Sequence, residues 1–131
     1  EDFLARRSAA AESFSNGDAA SFLALIPTQG EVTFHSPDGT SLLGATAVKT
    51  VFASHAASFR RGGESRFEIL QKGASGDLGF WTGAQIARVH IAGREEPQEM
   101  RIRITEVFRR FAGAWMLIHR HADLAAPRPE G

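Results

Sequence analysis

Thr105-Glu106-Val107-Phe108-Arg109-Arg110-Phe111-Ala112-Gly113-Ala114-Trp115-Met116-Leu117-Ile118-His119-Arg120-His121-Ala122-Asp123 holds two strand-like runs around Ala112-Gly113, the pattern of a tight β-hairpin. Pairing Phe111 with Ala114 sets Glu106 opposite His119, Ile104 opposite His121 and Phe108 opposite Leu117. Strand alternation then predicts that these six side chains share one face. Arg103, Thr105, Val107, Met116, Ile118 and Arg120 take the other. The first face has the more apolar centre and is expected to turn inward.

Working outward, the second half of the chain has the punctuation of a meander. Ser65 to Gln71 reads as a strand, 73–77 as its turn, Leu78 to Ile91 as a long strand and Ala92 to Pro97 as a polar loop. Along the long strand, Thr82, Ala84 and Ile86 are expected to look inward, and Trp81, Gln85, Val89 and Ile91 outward. The first half reads as helix. Phe3, Leu4, Arg7, Ala11 and Phe14 recur at spacings of three and four, and Asn16-Gly17 supplies a helix stop. Asp18 to Ile26 fits a second, short helix closed by Pro27. Val32 to Ser36 alternates as a strand and runs into the turn Pro37-Asp38-Gly39. A third helix follows Gly44 with the stripe Val48, Val51, Phe52, His55, Ala56 and Phe59, and Arg60-Arg61-Gly62-Gly63 ends it. The expectation is one α+β domain over 1–131, three N-terminal helices packed on a curved antiparallel sheet, with 125–131 a loose tail.

Composition narrows the function classes. Fifteen basic residues balance fifteen acidic ones, which leaves no electrostatic case for nucleic acid or an anionic membrane surface. Cysteine is absent, so disulfides, thiolate nucleophiles and Cys-ligated zinc are excluded together, and tyrosine is absent as well. No uncharged stretch approaches the length of a bilayer span. No retained secretory signal is expected, and the cytoplasm is the expected location.

The order helix, helix, strand, helix and strand meander resembles the cone-shaped nuclear transport factor 2-like superfamily. Phe34-His35-Ser36-Pro37-Asp38-Gly39 followed by Leu43-Gly44 is similar to the opening of SnoaL-like domains. Thr105 to Arg110 with Gly113, Trp115, Ile118, His119 and His121 is similar to their C-terminal hairpin. It is equally similar to the hairpin of the calcium/calmodulin-dependent kinase association domain. The resemblance implies a conical pocket between helices and concave sheet, and a homodimer through the convex face. It also favours an inward Glu106, since the association domain holds a pocket-facing Arg at the matching position. Steroid isomerase chemistry is disfavoured: the resemblance would require an Asp before Pro37 and an oxyanion-hole Tyr, where this chain has Ser36 and no Tyr. Asp38, beyond the proline, is expected outside the cone.

On this reading Glu106 and His119 form a carboxylate–imidazole pair suited to proton transfer on a carbonyl-containing substrate, with His119 as acid or base and Glu106 orienting it. The same pair could equally satisfy itself as an inert buried contact. Phe34, Ser36, Phe52, His55, Thr82, Ile86, Ile104, Phe108, Leu117 and His121 are the expected ligand contacts, for a small, largely apolar molecule. His35 is read as peripheral. His119, His121 and Asp123 have metal-ligand types, but strand neighbours at this spacing fan apart, so neither a metal nor another cofactor is expected. Trp81, Val89, Val107, Met116 and Ile118 would form an apolar convex interface for a second copy. The rival is a non-catalytic homo-oligomerisation module like the kinase association domain.

Overall fold

The computed structural model describes residues 2–28 and 31–125, so residues 126–131 of the expected tail lie outside the described part. The elements in chain order are α1 (Asp2–Ser15), α2 (Ala20–Leu23), β1 (Thr33–His35), β2 (Ser41–Leu43), α3 (Ala45–Ala57), β3 (Phe59–Ser75), β4 (Leu78–Ile91), β5 (Gln98–Phe111) and β6 (Ala114–Leu124). One sheet runs in the order β2-β1-β6-β5-β4-β3. Every pair in it is antiparallel except β1 with β6. The α+β expectation holds: helices lie on one side of a curved, unclosed sheet.

Of the helical stripe of α1, Phe3, Arg7 and Ala11 are buried and Leu4 and Phe14 are half-buried against the core, with Ala10, outside the stripe, buried as well. At the end of α1, Gly17 takes φ +93°, and a side chain there would strike the carbonyl oxygen of Phe59, so glycine is required on both counts. From α3, Val48, Phe52 and Ala56 are buried. Phe52 packs edge-on to Phe34 with centroids 5.0 Å apart and lies 5.4 Å from Phe22. Phe34 is wholly buried, a placement that stabilises by about 1.5–3 kcal/mol for an aromatic side chain.

Boundaries differ from the sequence reading in three places. The expected second helix shrinks to α2. Ser41–Leu43 forms a strand that the Pro37-Asp38-Gly39 turn sends back against β1. Arg60-Arg61-Gly62-Gly63 ends no helix: it lies in β3, which starts at Phe59 and absorbs the glycines in an irregularity opposite β4.

Two corrections concern side-chain direction. The hairpin pairs Phe111 with Ala114 and Phe108 with Leu117 as expected, but Val107 then pairs with His119 and Glu106 with Arg120. Ile118 is the extra residue of a β-bulge, and a one-residue slip turns every later side chain of β6 over. His119, His121 and Asp123 therefore share a face with Thr105 and Val107, while Arg120 and Ala122 face the helices. In β4, Trp81 pairs directly with Glu106 and Thr82 with Thr105. Trp81, Gln85 and Val89 thus face inward, and Thr82, Ala84 and Ile86 belong to the convex side.

Candidate functional site

Glu106 is fully buried at the floor of the concave face. Arg7 reaches it from α1: its Nε donates to Oε1 at 2.9 Å and its Nη2 to Oε2 at 2.7 Å. Trp81 donates its indole N–H to Oε1 at 2.8 Å. The Arg120 Nε lies 3.3 Å from Oε2 as an ion pair. The Arg7 guanidinium is held between two rings, 4.8 Å from the Phe22 centroid and 5.1 Å from that of Phe67. Arg120 also donates through Nη2 to Gln85 Oε1 at 3.1 Å, and Gln85 Nε2 donates to Ser65 Oγ at 3.1 Å.

Burial pushes the Glu106 carboxyl up, but the Arg7 and Arg120 cations and the Trp81 N–H outweigh it and hold it below the usual carboxylate range. Burial pulls Arg120 down to about 10, against the attraction of Glu106 and with the repulsion of Arg7. Arg120 therefore stays a cation at neutral pH, and Glu106 is an anion with its oxygens already engaged. That arrangement suits a fixed electrostatic floor better than a proton shuttle.

Above this floor lies a cavity of about 380 Å³, bounded by α1, α2, α3 and the sheet. Its walls are largely apolar, with Phe14, Phe22, Phe52, Phe59, Val89 and Ile102 in the lining. Arg7, Arg120 and Gln85 line it below. Ser36, Asp38 and His55 line it from the β1–β2 turn and α3. Asp38 was expected outside the cone but borders the cavity, because the turn at Pro37 folds over toward α3. Its carboxylate accepts hydrogen bonds from Thr40, the side-chain one first among the causes that lower its pKa.

The expected site residues divide accordingly. Ser36, Phe52 and His55 line the cavity, with His55 exposed and its ring 5.5 Å from that of Phe52. Phe34, Ile104, Phe108 and Leu117 are buried in the core beneath it. Thr82, Ile86, His119 and His121 lie on the convex side, so the Glu106–His119 pair does not form. Trp81 and Val89, expected on the convex interface, point into the cone instead. Val107, Met116 and Ile118 remain half-buried in the sheet, with Val107 in a shallow convex groove beside Leu78 and Phe80.

On the convex side His119 accepts or donates through Nδ1 with Thr33 Oγ1 at 2.7 Å. His35 stands between the other two imidazoles, its centroid 5.4 Å from that of His119 and 5.0 Å from that of His121. Burial lowers the proton affinity of His119, helped by His35 and His121 and opposed by Thr33. Asp123, instead of joining these histidines, is clasped by Arg103 through two hydrogen bonds of 2.7 and 2.6 Å. Among the described residues, no group of three His, Cys, Asp or Glu side chains is placed to hold a metal ion.

Arg7 and Arg120 are the site residues that sequence reasoning missed. An arginine on the apolar stripe of α1, flanked by Phe3 and Ala11, was the available signal for the first. Arg120 was hidden by the bulge.

Comparison with known proteins agrees with this architecture. A family described as the SnoaL-like domain matches residues 5–127. A candidate dehydratase of the NTF2-like family from Streptomyces avermitilis superposes with a TM-score of 0.76 at 21% identity, over 93% of this chain and 92% of that one. A candidate calcium/calmodulin-dependent protein kinase type II association domain from Thiobacillus denitrificans gives 0.68 at 21% identity, over 90% and 88%. The association domain of the Caenorhabditis elegans kinase gives 0.68 at 14%, over 93% and 92%. No curated protein matches by sequence. At these identities the structural likeness establishes the fold.

Proposed function

This chain belongs to the SnoaL-like domain family, and we propose from that premise that it binds a small, largely apolar molecule in its cone. The observation that carries the reading is the cavity of about 380 Å³ with aromatic walls and a few polar groups at its two ends. That is the size and chemistry of a small-molecule site. His55 and Asp38 are the titratable side chains at the open end. Proton transfer on a carbonyl-containing substrate, the reaction class expected from the sequence, would fall to them, since Glu106 is fully buried and held by Arg7 and Trp81 and His119 is on the other side of the sheet.

The test is to fill the cone. Ala87 is buried on its wall, so Ala87→Trp occupies the ligand's space while leaving the floor and the convex face intact. Native mass spectrometry of freshly purified protein, joined to a thermal-shift screen of small apolar compounds, should find ligands for the wild type that Ala87→Trp does not take. A wild type that carries nothing and responds to no compound more than Ala87→Trp does would refute the reading.

A second reading is favoured by a different observation. The sheet leaves large apolar side chains in solvent, with Leu70 82% and Leu78 45% exposed, and Phe80 beside Val107. An apolar patch of this kind is suited to covering by a second copy. Two of the similar structures are named as association domains. Assembly through this face is compatible with an occupied cone, because the two lie on opposite sides of the sheet.

A further inference from the structure

We propose that the cone selects a monoanion: its ligand carries one carboxylate group, held at the floor by Arg7 and Arg120, with an apolar body against Phe14, Phe52 and Ile102. The proposal rests on the cone reading above and specifies the ligand class.

The argument is one of charge and of hydrogen-bond donors. Two buried guanidiniums border the cavity and Glu106 is the carboxylate between them. The floor thus carries one surplus positive charge on side chains almost wholly removed from solvent, which is strongly disfavoured without a counterion. The polar chain beyond Arg120, through Gln85 to Ser65, is neutral and cannot supply one. Asp38, at the mouth, is exposed and engaged with Thr40.

Donors are in surplus too. Glu106 Oε1 accepts from Arg7 Nε and Trp81 Nε1, and Oε2 accepts from Arg7 Nη2. Arg7 Nη1 is then buried with no hydrogen-bond acceptor among the described residues, and Arg120 Nε has only the ion-pair contact with Glu106 Oε2 at 3.3 Å, so neither guanidinium is fully satisfied. Native proteins rarely leave such groups unsatisfied, and each one requires an explanation. A planar carboxylate is the acceptor that matches guanidinium geometry. Charge also separates anion classes: one carboxylate neutralises the floor, whereas a phosphate monoester, nearer −2 at neutral pH, would overshoot it. The apolar walls require the rest of the molecule to be hydrocarbon-like.

Matched probes test this. Octanoate and 4-phenylbutyrate, each against its primary amide, are titrated calorimetrically into the wild type and Arg120→Gln. Arg120→Gln leaves the Arg7–Glu106 pair neutral and intact. The wild type should bind each carboxylate at least about tenfold more tightly than its amide, and Arg120→Gln should erase that preference while keeping the amide's affinity. In a thermal-shift assay the carboxylates should stabilise Glu106→Gln more than the wild type, because that substitution removes the competing anion. Equal binding of acid and amide by the wild type overturns the anion site and leaves the cone reading standing. A preference that survives Arg120→Gln also overturns it, by placing the anion elsewhere. Failure of both acids and both amides, with Ala87→Trp indistinguishable from wild type across the wider screen, removes the cone reading and this inference with it.

Discussion

Arg7 and Glu106 are 99 positions apart in sequence and joined by two buried hydrogen bonds, so α1 is fastened to the middle of β5 by a side-on guanidinium–carboxylate fork. The fork closes the bottom of the cone and fixes the indole of Trp81, which donates to the same carboxylate. A buried pair is poor evidence of net stabilisation, because desolvation offsets much of the attraction. Breaking one half is another matter. Arg7→Met is expected to cost about 3–5 kcal/mol by stranding Glu106 beside Arg120 alone. In urea titrations the Arg7→Met, Glu106→Gln double variant should lose much less than the sum of the single losses. Additive losses would show that the two side chains act independently.

Trp81 supplies a separate check on which way β4 faces. It is wholly buried and its N–H has a charged acceptor. Trp81→Phe should cost about 1–3 kcal/mol, from the lost bond and from the extra demand left on Glu106. Its fluorescence should be shielded from iodide, unlike that of half-buried Trp115. A Trp81 quenched as readily as Trp115 would restore the outward orientation expected from the sequence.

These two residues also show where sequence reading succeeded and failed. Element types along 78–124 were legible because alternation and the Ala112-Gly113 turn are local signals. The face of each strand was not, because face depends on pairing. Ile118 looks like any β-branched strand residue, yet as the bulged residue it inverts all that follows it in β6. The bulge brings Leu117 N–H to the Leu25 carbonyl at 2.7 Å, a contact with the segment after α2 that no hairpin pattern contains. The adjacent apolar Met116-Leu117-Ile118, which breaks alternation, was the local trace of it. Arg7 was legible in position but not in role, since its partner is fixed only by the sheet.

The lowered proton affinity of His119 should make stability pH-dependent. Burial, His35 and His121 set the folded pKa of His119 below its ordinary 6.5, against the contribution of Thr33. As pH falls through about 6.5 the unfolded chain takes up this proton first, so stability declines from there toward the folded value. The urea midpoint should therefore be lower at pH 5.5 than at pH 7.5. That difference should shrink in His119→Gln, which keeps a polar partner for Thr33. If His119→Gln leaves the difference unchanged, another group controls it.

The hairpin turn carries a strain that can be relieved. Ala112 has φ +48° and Gly113 φ +83°, the left-handed pair that a two-residue turn demands. Glycine meets that demand freely, whereas alanine places its Cβ against the following carbonyl, at about 1–2 kcal/mol. Ala112→Gly removes the clash but gives the unfolded chain more freedom, which returns roughly half of the gain. Asn tolerates the left-handed region without that entropic loss. The expected order of urea midpoints is therefore Ala112→Asn at or above Ala112→Gly, both above wild type, with gains of about 0.5–1 kcal/mol. Ala112 is exposed and does not line the cone, so carboxylate binding should be unaffected in both. A loss of stability in both variants would show that the turn adopts another geometry, and with it that the pairing of Phe111 with Ala114 is wrong.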